Sequence, residues 1–344
     1  MKRAGNYNWL GIVPLLILFS CVGEKHSKIY LQEVNVLGGE KQDDSIVFDD
    51  SQVSCVLIHG EPIISEIVDV GMIDNLCYIL DVNNAISIVD FSDGTIKAQF
   101  KKEGHAKGEL ISPQCLTTDS THVYIYDAGK KSIVIYNKNL IFEDDLDIEV
   151  APSSMIKLNT GFLCYNDYSP TVYYINEKGE MECSREMSDK TAEVVTSRKI
   201  FTKGPDNKIY IKAEYSDTIF VWDGGDMSPR FVMNYDGRSA DGEASINDIW
   251  SQGVSFTFDY FLTEQGLLIG YFKNKVLEYA FFDIQQNRCV AYKPSVKGVM
   301  PFIPRWQFGN FIFDIENKEV FQHFPHMAED SNQYCQLVML KYDL

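Results

Sequence analysis

Short apolar runs rich in β-branched and aromatic residues recur along the chain, each bounded by polar or turn-forming residues. They come in pairs: Tyr78–Asp81 precedes Ile86–Asp90, and Val123–Asp127 precedes Ile133–Tyr136. Short runs between turn signals are typical of β-strands, and few segments have the 3.6-residue period of an amphipathic helix. The pattern therefore predicts an all-β protein.

The paired runs form a repeat. The first strands of six such pairs begin 39 to 58 residues apart. A period near 40 to 50 residues with four strands per unit is the signature of a β-propeller. We therefore predict a six-bladed β-propeller over residues 29–344, because a two-sheet sandwich does not explain one unit recurring six times. The four further pairs are Phe162–Tyr165 with Thr171–Ile175, Ile209–Ile211 with Thr218–Trp222, Leu267–Ile269 with Tyr279–Asp283, and Phe311–Phe313 with Glu319–Phe321.

Strand-like segments at the two ends of the chain bear on how the ring closes. Ile29–Val36 and Ile46–Ile58 precede the first full unit, and Cys335–Leu340 follows the sixth. We expect the N-terminal strands to complete the last blade, because this closes the ring and removes open sheet edges. Asp236–Gln252, the least strand-like interior segment, is expected to be an excursion between the fourth and fifth blades.

The N-terminus has the pattern of a secretory signal. Lys2 and Arg3 precede an apolar run, Leu10–Phe19, that is too short to span a bilayer. The run ends in Leu-Phe-Ser-Cys, which resembles a lipobox whose Cys21 becomes the lipid-bearing first mature residue. We therefore predict a signal peptide over 1–20, a tether over 21–28, and a protein anchored to a membrane of the cell envelope, outer-membrane, periplasmic or surface-facing. An ordinary signal peptide with a chance cysteine is the alternative.

The net charge and the arrangement of the cysteines bear on which functions the protein can have. The formal net charge is −18, and loss of Lys2 and Arg3 with the signal peptide makes it −20. Nucleic-acid binding needs phosphate neutralisation by Lys and Arg, so no nucleic-acid partner is expected. The seven cysteines after Cys21 form no Cys-x-x-Cys pair, and most lie in apolar runs. We interpret them as buried thiols that pack as small hydrophobes.

Three segments carry a resemblance to a known family. Gly104–Glu109 resembles a Gly-x-Gly-Pro-Gly-Glu loop, with Ala and Lys in place of the middle Gly and Pro. Ser216–Phe220 and Pro229–Val232 resemble a Ser-Asp-Thr-Ile-Tyr strand and its Pro-x-Tyr partner, and Phe261–Asp283 resembles fifth-blade strands. These patterns are similar to those of the six-bladed β-propeller lipoproteins of Gram-negative bacteria, related to TolB-like and NHL-repeat propellers. The resemblance implies the fold and export rather than an activity.

The loop containing Gly104, Gly108 and Glu109 is the first candidate for chemistry. A phosphate cradle needs a following helix N-terminus and usually a Lys-Ser/Thr pair. The next residues, Leu-Ile-Ser-Pro, supply neither. We expect an inter-blade turn in which Glu109 accepts backbone amides. The sequence predicts no catalytic residue, no metal ligand and no cofactor, since clustered carboxylates lack the spacing of a calcium loop.

Aromatic and cationic side chains in predicted connections are the binding candidates. Trp250, Arg305 and Trp306 would stack on sugar or aromatic faces if they are exposed. Packing between blades is the alternative role for them. We expect a non-enzymatic module that binds a glycan, a peptide or an envelope protein. The alternative is a propeller enzyme of lactonase or lyase type with a metal at the channel mouth.

Overall fold

The structure, a computed structural model, describes residues 31–38, 45–48, 53–187, 200–213, 216–237, 255–294, 304–309, 311–317, 319 and 336–342. For residues 45–48 and 293–294 it describes the backbone alone. The predicted signal peptide, the tether, Cys21, Trp250 and most of the predicted excursion therefore lie outside the described residues. Within the described part, no helix is long and apolar enough to span a membrane.

Six sheets form the blades of a propeller, and three N-terminal strands precede the first blade along the chain. The N-terminal strands are β1 (Gln32–Asn35), β2 (Ser45–Phe48) and β3 (Val53–Ile58). Blade 1 contains β4 (Ile67–Ile73), β5 (Leu76–Asp81), β6 (Ile86–Asp90) and β7 (Ile96–Phe100). Blade 2 contains β8 (Pro113–Thr118), β9 (His122–Asp127), β10 (Ser132–Asn137) and β11 (Phe142–Asp147). Blade 3 contains β12 (Ser154–Leu158), β13 (Gly161–Asn166), β14 (Thr171–Asn176) and β15 (Met181–Glu186).

The last three blades include the N-terminal strands. Blade 4 contains β16 (Phe201–Lys203), β17 (Ile209–Ile211), β18 (Thr218–Asp223) and β19 (Asp226–Asn234), with β1 at its edge. Blade 5 contains β20 (Ser255–Leu262), β21 (Leu267–Lys273), β22 (Val276–Asp283) and β23 (Arg288–Pro294), with β2 at its edge. Blade 6 contains β24 (Trp306–Phe308), β25 (Phe311–Glu316) and β26 (Leu337–Tyr342), with β3 at its edge. The predicted six-bladed propeller is confirmed.

Middle strands of the blades are apolar on both faces because each blade packs between two others. In β5, Tyr78 and Leu80 pack in the cluster shared with blade 2, whereas Cys77 and Ile79 pack in the cluster shared with blade 6. Adjacent side chains of a strand point to opposite faces, so both faces must be apolar. The outermost strand β15 is mostly exposed. This difference explains why the strand pairs seen in the sequence are the two middle strands of blades 1 to 5.

Apolar clusters between neighbouring blades close the ring. Separate clusters join blades 1 and 2, 2 and 3, 3 and 4, 5 and 6, and 6 and 1. Blades 4 and 5 are joined by the Tyr260 hydroxyl, which donates to the Tyr210 carbonyl at 2.9 Å, and by an edge-to-face pair of Phe231 and Phe282. The order of the blades around the axis therefore follows the order along the chain.

The last blade is completed by an N-terminal strand, but by one strand alone. β3 pairs antiparallel with β26, and Leu57 lies opposite Val338. The expectation that the whole of Ile29–Ile58 lies in the last blade is wrong. β1 pairs in parallel with β19 of blade 4, and β2 pairs in parallel with β23 of blade 5. The chain thus covers two outer edges before it reaches blade 6.

The third strand of blade 6 also differs from the expectation. Glu319–Phe321 was the predicted partner of Phe311–Phe313, but β26 holds that place, with Phe313 opposite Lys341. The apolar run near the C-terminus supplies Val338 and Leu340, both buried against blade 5. Glu319–Phe321 offers a shorter apolar run, and 320–321 lie outside the described residues.

Candidate functional site

A cavity of about 690 Å³ lies among the first strands of the blades. Its wall comes from β4, β8, β12, β16 and β24 and from residues next to these strands. The first strands of blades 1 to 5 contact one another in order, which places them around the axis. Ligand sites are concave and carry a few placed polar groups, so this central cavity is the candidate functional site.

Side chains from neighbouring blades cover the backbone groups on the inner edges of blades 1 and 2. An innermost strand has one neighbour in its own sheet, which leaves backbone N–H and C=O groups unpaired along the channel. The Asp69 carboxylate on β4 accepts the Leu116 N–H of β8 at 2.8 Å. In return the Thr118 hydroxyl donates to the Met72 carbonyl at 2.7 Å. These bonds tie blade 1 to blade 2 and hold the wall in place.

Hydrogen bonds between side chains and the backbone also join two other pairs of neighbouring blades. The Thr117 hydroxyl accepts the Lys157 N–H at 3.3 Å, which joins blades 2 and 3. The Gln307 side chain accepts the Leu262 N–H at 3.1 Å and donates to the Leu262 carbonyl, which joins blades 5 and 6. Much of the deep cavity wall is therefore built of polar groups that already have partners.

The pKa values of two aspartates in the wall are shifted in opposite directions. Burial raises the pKa of Asp69 to about 6, against the opposing effect of the N–H groups of Leu116 and Val70. Burial also disfavours ionisation of Asp119, but hydrogen bonds from the Tyr124 hydroxyl and nearby backbone amides lower its pKa to about 2. Asp69 thus titrates near neutrality, whereas Asp119 stays ionised.

Two cations of the wall are held by neighbouring groups. The Lys157 ammonium donates to the Leu158 carbonyl at 2.6 Å and lies 5.1 Å from the centre of the Phe162 ring. The Arg305 guanidinium lies 4.6 Å from the Trp306 ring centre and pairs with two carboxylates of β25, Asp314 and Glu316. Burial raises the pKa of Asp314, and Arg305 opposes that shift.

The structure places two of the three predicted binding residues at the cavity. Arg305 and Trp306 both line it. Trp306 begins strand β24 and does not lie in a connection as expected, because its backbone pairs with Phe313. The Trp306 ring lies 5.8 Å from the Phe313 ring of the same blade and packs against the apolar cluster between blades 6 and 1, so it serves inter-blade packing as well. Trp250 lies outside the described residues.

The Gly104–Glu109 loop is a turn whose polar groups bond to one another. The Glu109 carboxylate accepts the Ala106 N–H at 3.0 Å, and the Glu109 N–H donates to the Ala106 carbonyl at 3.1 Å. Gly108 has a φ of 69°, and a β-carbon there would lie 2.6 Å from Phe142. Glycine is therefore required by both backbone conformation and space. The loop does not line the cavity.

Four side chains at one end of the cavity were not predicted from the sequence. Asp74, Ser120, Asn159 and Lys203 lie where β4, β8, β12 and β16 end, and all four are exposed. Each comes from a different blade among blades 1 to 4. The sequence signal that could have found them is their place at the turn before each predicted strand pair. We call these four residues the mouth residues.

The described cysteines are buried or partly buried. Cys77, Cys115 and Cys164 are buried, and burial raises the pKa of each thiol. Cys55, Cys183 and Cys289 are partly buried. Among the described residues, no group of three or more His, Cys, Asp or Glu side chains is arranged to hold a metal ion.

Several solved structures are similar to this chain. A proposed exported protein of Bacteroides fragilis NCTC 9343 has a similar structure, with a TM-score of 0.69 and 12% identity over 92% of this chain and 100% of that chain. A DUF4221 family member from Bacteroides vulgatus ATCC 8482 has a TM-score of 0.48 and 7% identity over 86% and 96% of the two chains. Virginiamycin B lyase from Staphylococcus aureus has a TM-score of 0.47 and 12% identity over 85% and 100%.

These likenesses show the fold alone. No curated protein matches the sequence. The family described as DUF5128, 6-bladed beta-propeller, matches residues 60–299, which is more than half of the chain. The chain therefore belongs to the DUF5128 family of six-bladed β-propellers.

Proposed function

We propose that this protein is an exported, lipid-anchored module of the cell envelope that binds a polar ligand in the central cavity of its propeller. The cavity carries the proposal: it measures about 690 Å³ and is lined by charged, amide, hydroxyl and aromatic side chains from five blades. A volume of that size lies in the range of pockets that enclose small ligands.

The bonding state of the wall favours binding over chemistry. Asp69 accepts two backbone N–H groups, and Lys157 and Arg305 are held by carbonyls, carboxylates and rings. Groups fixed in this way form a rigid polar surface, which lowers the cost of ordering on binding. Trp306 adds an aromatic face to that surface. A glycan or a peptide is the ligand class that such a surface suits.

Export and anchoring are supported by the N-terminal sequence. The apolar run Leu10–Phe19 and Cys21 follow the pattern of a lipoprotein signal. The similar Bacteroides fragilis protein is itself a proposed exported protein. A Cys21→Ser variant expressed in a Gram-negative host tests this part: we expect it to leave the membrane fraction that retains the wild type. Equal membrane retention of the two proteins would count against the anchor.

Binding in the cavity is tested by blocking it. The soluble mature protein is first screened by thermal shift against soluble oligosaccharides and short peptides. Asn159→Trp then introduces a large side chain at the mouth, and we expect at least a tenfold loss of affinity for the ligand found. Asn139→Trp is the matched control, because Asn139 is exposed on a blade 2 turn away from the cavity.

Equal affinity of the Asn159→Trp variant and the wild type would show that the ligand binds elsewhere. A screen of the folded protein that gives no saturable binding would overturn the proposed function.

A further inference from the structure

The mouth residues carry polar side chains that the described part of the protein leaves available. Asp74, Ser120, Asn159 and Lys203 make no side-chain hydrogen bond or ion pair with the described residues. The other charged groups of the wall, Asp69, Asp119, Lys157 and Arg305, are all bonded within the protein. The mouth residues therefore offer a ligand one carboxylate, one hydroxyl, one amide and one ammonium.

The four mouth residues follow one another around the ring in the order of blades 1 to 4. Asp74 follows the first strand of blade 1, and Lys203 ends the first strand of blade 4. In a ring of six blades, blades 1 and 4 lie on opposite sides of the axis. Ser120 of blade 2 and Asn159 of blade 3 lie between them on one side. The mouth residues therefore place a carboxylate and an ammonium across the channel, with the hydroxyl of Ser120 and the amide of Asn159 between them.

We propose that the mouth binds a zwitterionic ligand of the short-peptide type. The ligand's ammonium group lies against Asp74 and its carboxylate against Lys203. Its backbone amide groups bond to Ser120 and Asn159, whose side chains both donate and accept hydrogen bonds. This inference rests on the proposed function and deepens it by naming the ligand class.

The charges around the mouth are consistent with this arrangement. The cavity wall carries three acidic side chains, Asp69, Asp74 and Asp119, and three basic ones, Lys157, Lys203 and Arg305. A balanced wall does not select a ligand of high net charge of either sign. A ligand that carries both charges at a fixed separation meets complementary groups at both ends.

The experiment compares peptides whose ends are free with the same peptides capped. A mixed-sequence tripeptide library with free termini is titrated against the mature protein, and the best member is resynthesised with an acetylated N-terminus and an amidated C-terminus. We expect capping of both ends to weaken binding at least tenfold. Capping the N-terminus alone should remove the effect of Asp74→Asn, and capping the C-terminus alone should remove the effect of Lys203→Gln.

Matched variants separate the mouth from general charge effects. Asp223→Asn and Lys275→Gln change exposed charges outside the cavity and should leave the affinity within twofold of the wild type. Asp74→Asn and Lys203→Gln should each weaken binding of the free peptide about tenfold. The exchanged pair, Asp74→Lys with Lys203→Asp, should recover most of that loss, because a zwitterion can bind in the reversed direction. Circular dichroism checks that each variant folds.

The outcomes distinguish this inference from the proposed function. Binding of oligosaccharides but not free peptides, blocked by Asn159→Trp, would overturn the zwitterion and leave the cavity as the binding site. Capped peptides that bind as well as free ones would also overturn it. No binding of any probe to the folded protein would overturn both.

Discussion

At the residue scale, buried and half-buried carboxylates determine how the blades are held together. Asp81 and Asp127 end the second strands of blades 1 and 2, and both are almost completely buried. Each accepts several backbone N–H groups, among them those of Ala85 and Ile111 respectively. An ionised carboxylate bonded to amides is stable in the interior, whereas an unpaired one is not. The aspartate at the end of each of these two strands thus has a structural role.

Asp69 gives a prediction about pH. Its pKa in the folded protein is about 6 against an ordinary value of 3.8, so the folded state binds a proton more readily than the unfolded state. The contribution to the free energy of unfolding is therefore full below about pH 4 and is lost as the pH rises through about 6. Relative to Asp69→Asn, the wild type should lose roughly 1–2 kcal/mol between about pH 4.5 and pH 7.5, as measured by urea unfolding.

Asp119 supplies the control for this titration. Its pKa is lowered to about 2, so its stabilising contribution is lost only as the pH falls below about 4. The difference between wild type and Asp119→Asn should stay constant over the range in which the Asp69 difference changes. If the difference in the free energy of unfolding between wild type and Asp69→Asn is constant as well, the pKa of Asp69 is not raised by burial.

At the element scale, the N-terminal strands form a belt around the outer edges of the propeller. β1 and β2 add to blades 4 and 5, and β3 becomes the outer strand of blade 6. Open strand edges invite pairing with other chains, and the belt covers two of them. Val34 in the middle of β1 is fully buried, and the Val36 N–H donates to the Asn234 carbonyl at 3.0 Å. The belt is therefore packed as well as hydrogen-bonded.

A charged residue in β1 tests the belt. Val34→Asp places an unpaired carboxylate in a buried site, which costs several kcal/mol and should release β1 from blade 4. We expect faster hydrogen exchange at the backbone amides of β1 and the edge of β19, with β17 still protected. Val276→Asp, at an exposed position in blade 5, should change nothing. Uniform loss of protection across blade 4 would mean that β1 is part of its folding core.

The sequence predicted the middle strands of the blades better than their edges. Middle strands such as β13 are buried on both faces and leave continuous apolar runs. The innermost strands β16 and β24 have three residues each and carry polar side chains such as Gln307, so no run marks them. Pairing of β1 with β19 depends on an edge about 200 residues away, as in the Glu33–Asn234 bond, and a local pattern carries no such information.

At the scale of the whole molecule, ring closure builds the site. The cavity is lined by five of the six blades, so it exists only when the ring is complete. The sequence indicated the ring through its repeat and indicated Arg305 and Trp306 as candidates. It did not indicate the mouth residues, because turns between short polar strands have no distinctive composition. A site shared among many blades is assembled by topology rather than by a motif.

An experimental structure of residues 29–344 with the ligand from the binding screen tests the central claim most directly. The account predicts ligand density in the central cavity, in contact with the mouth residues and reaching the Trp306 ring. Density for the ligand on an outer blade face, with the central cavity left to solvent, would contradict it.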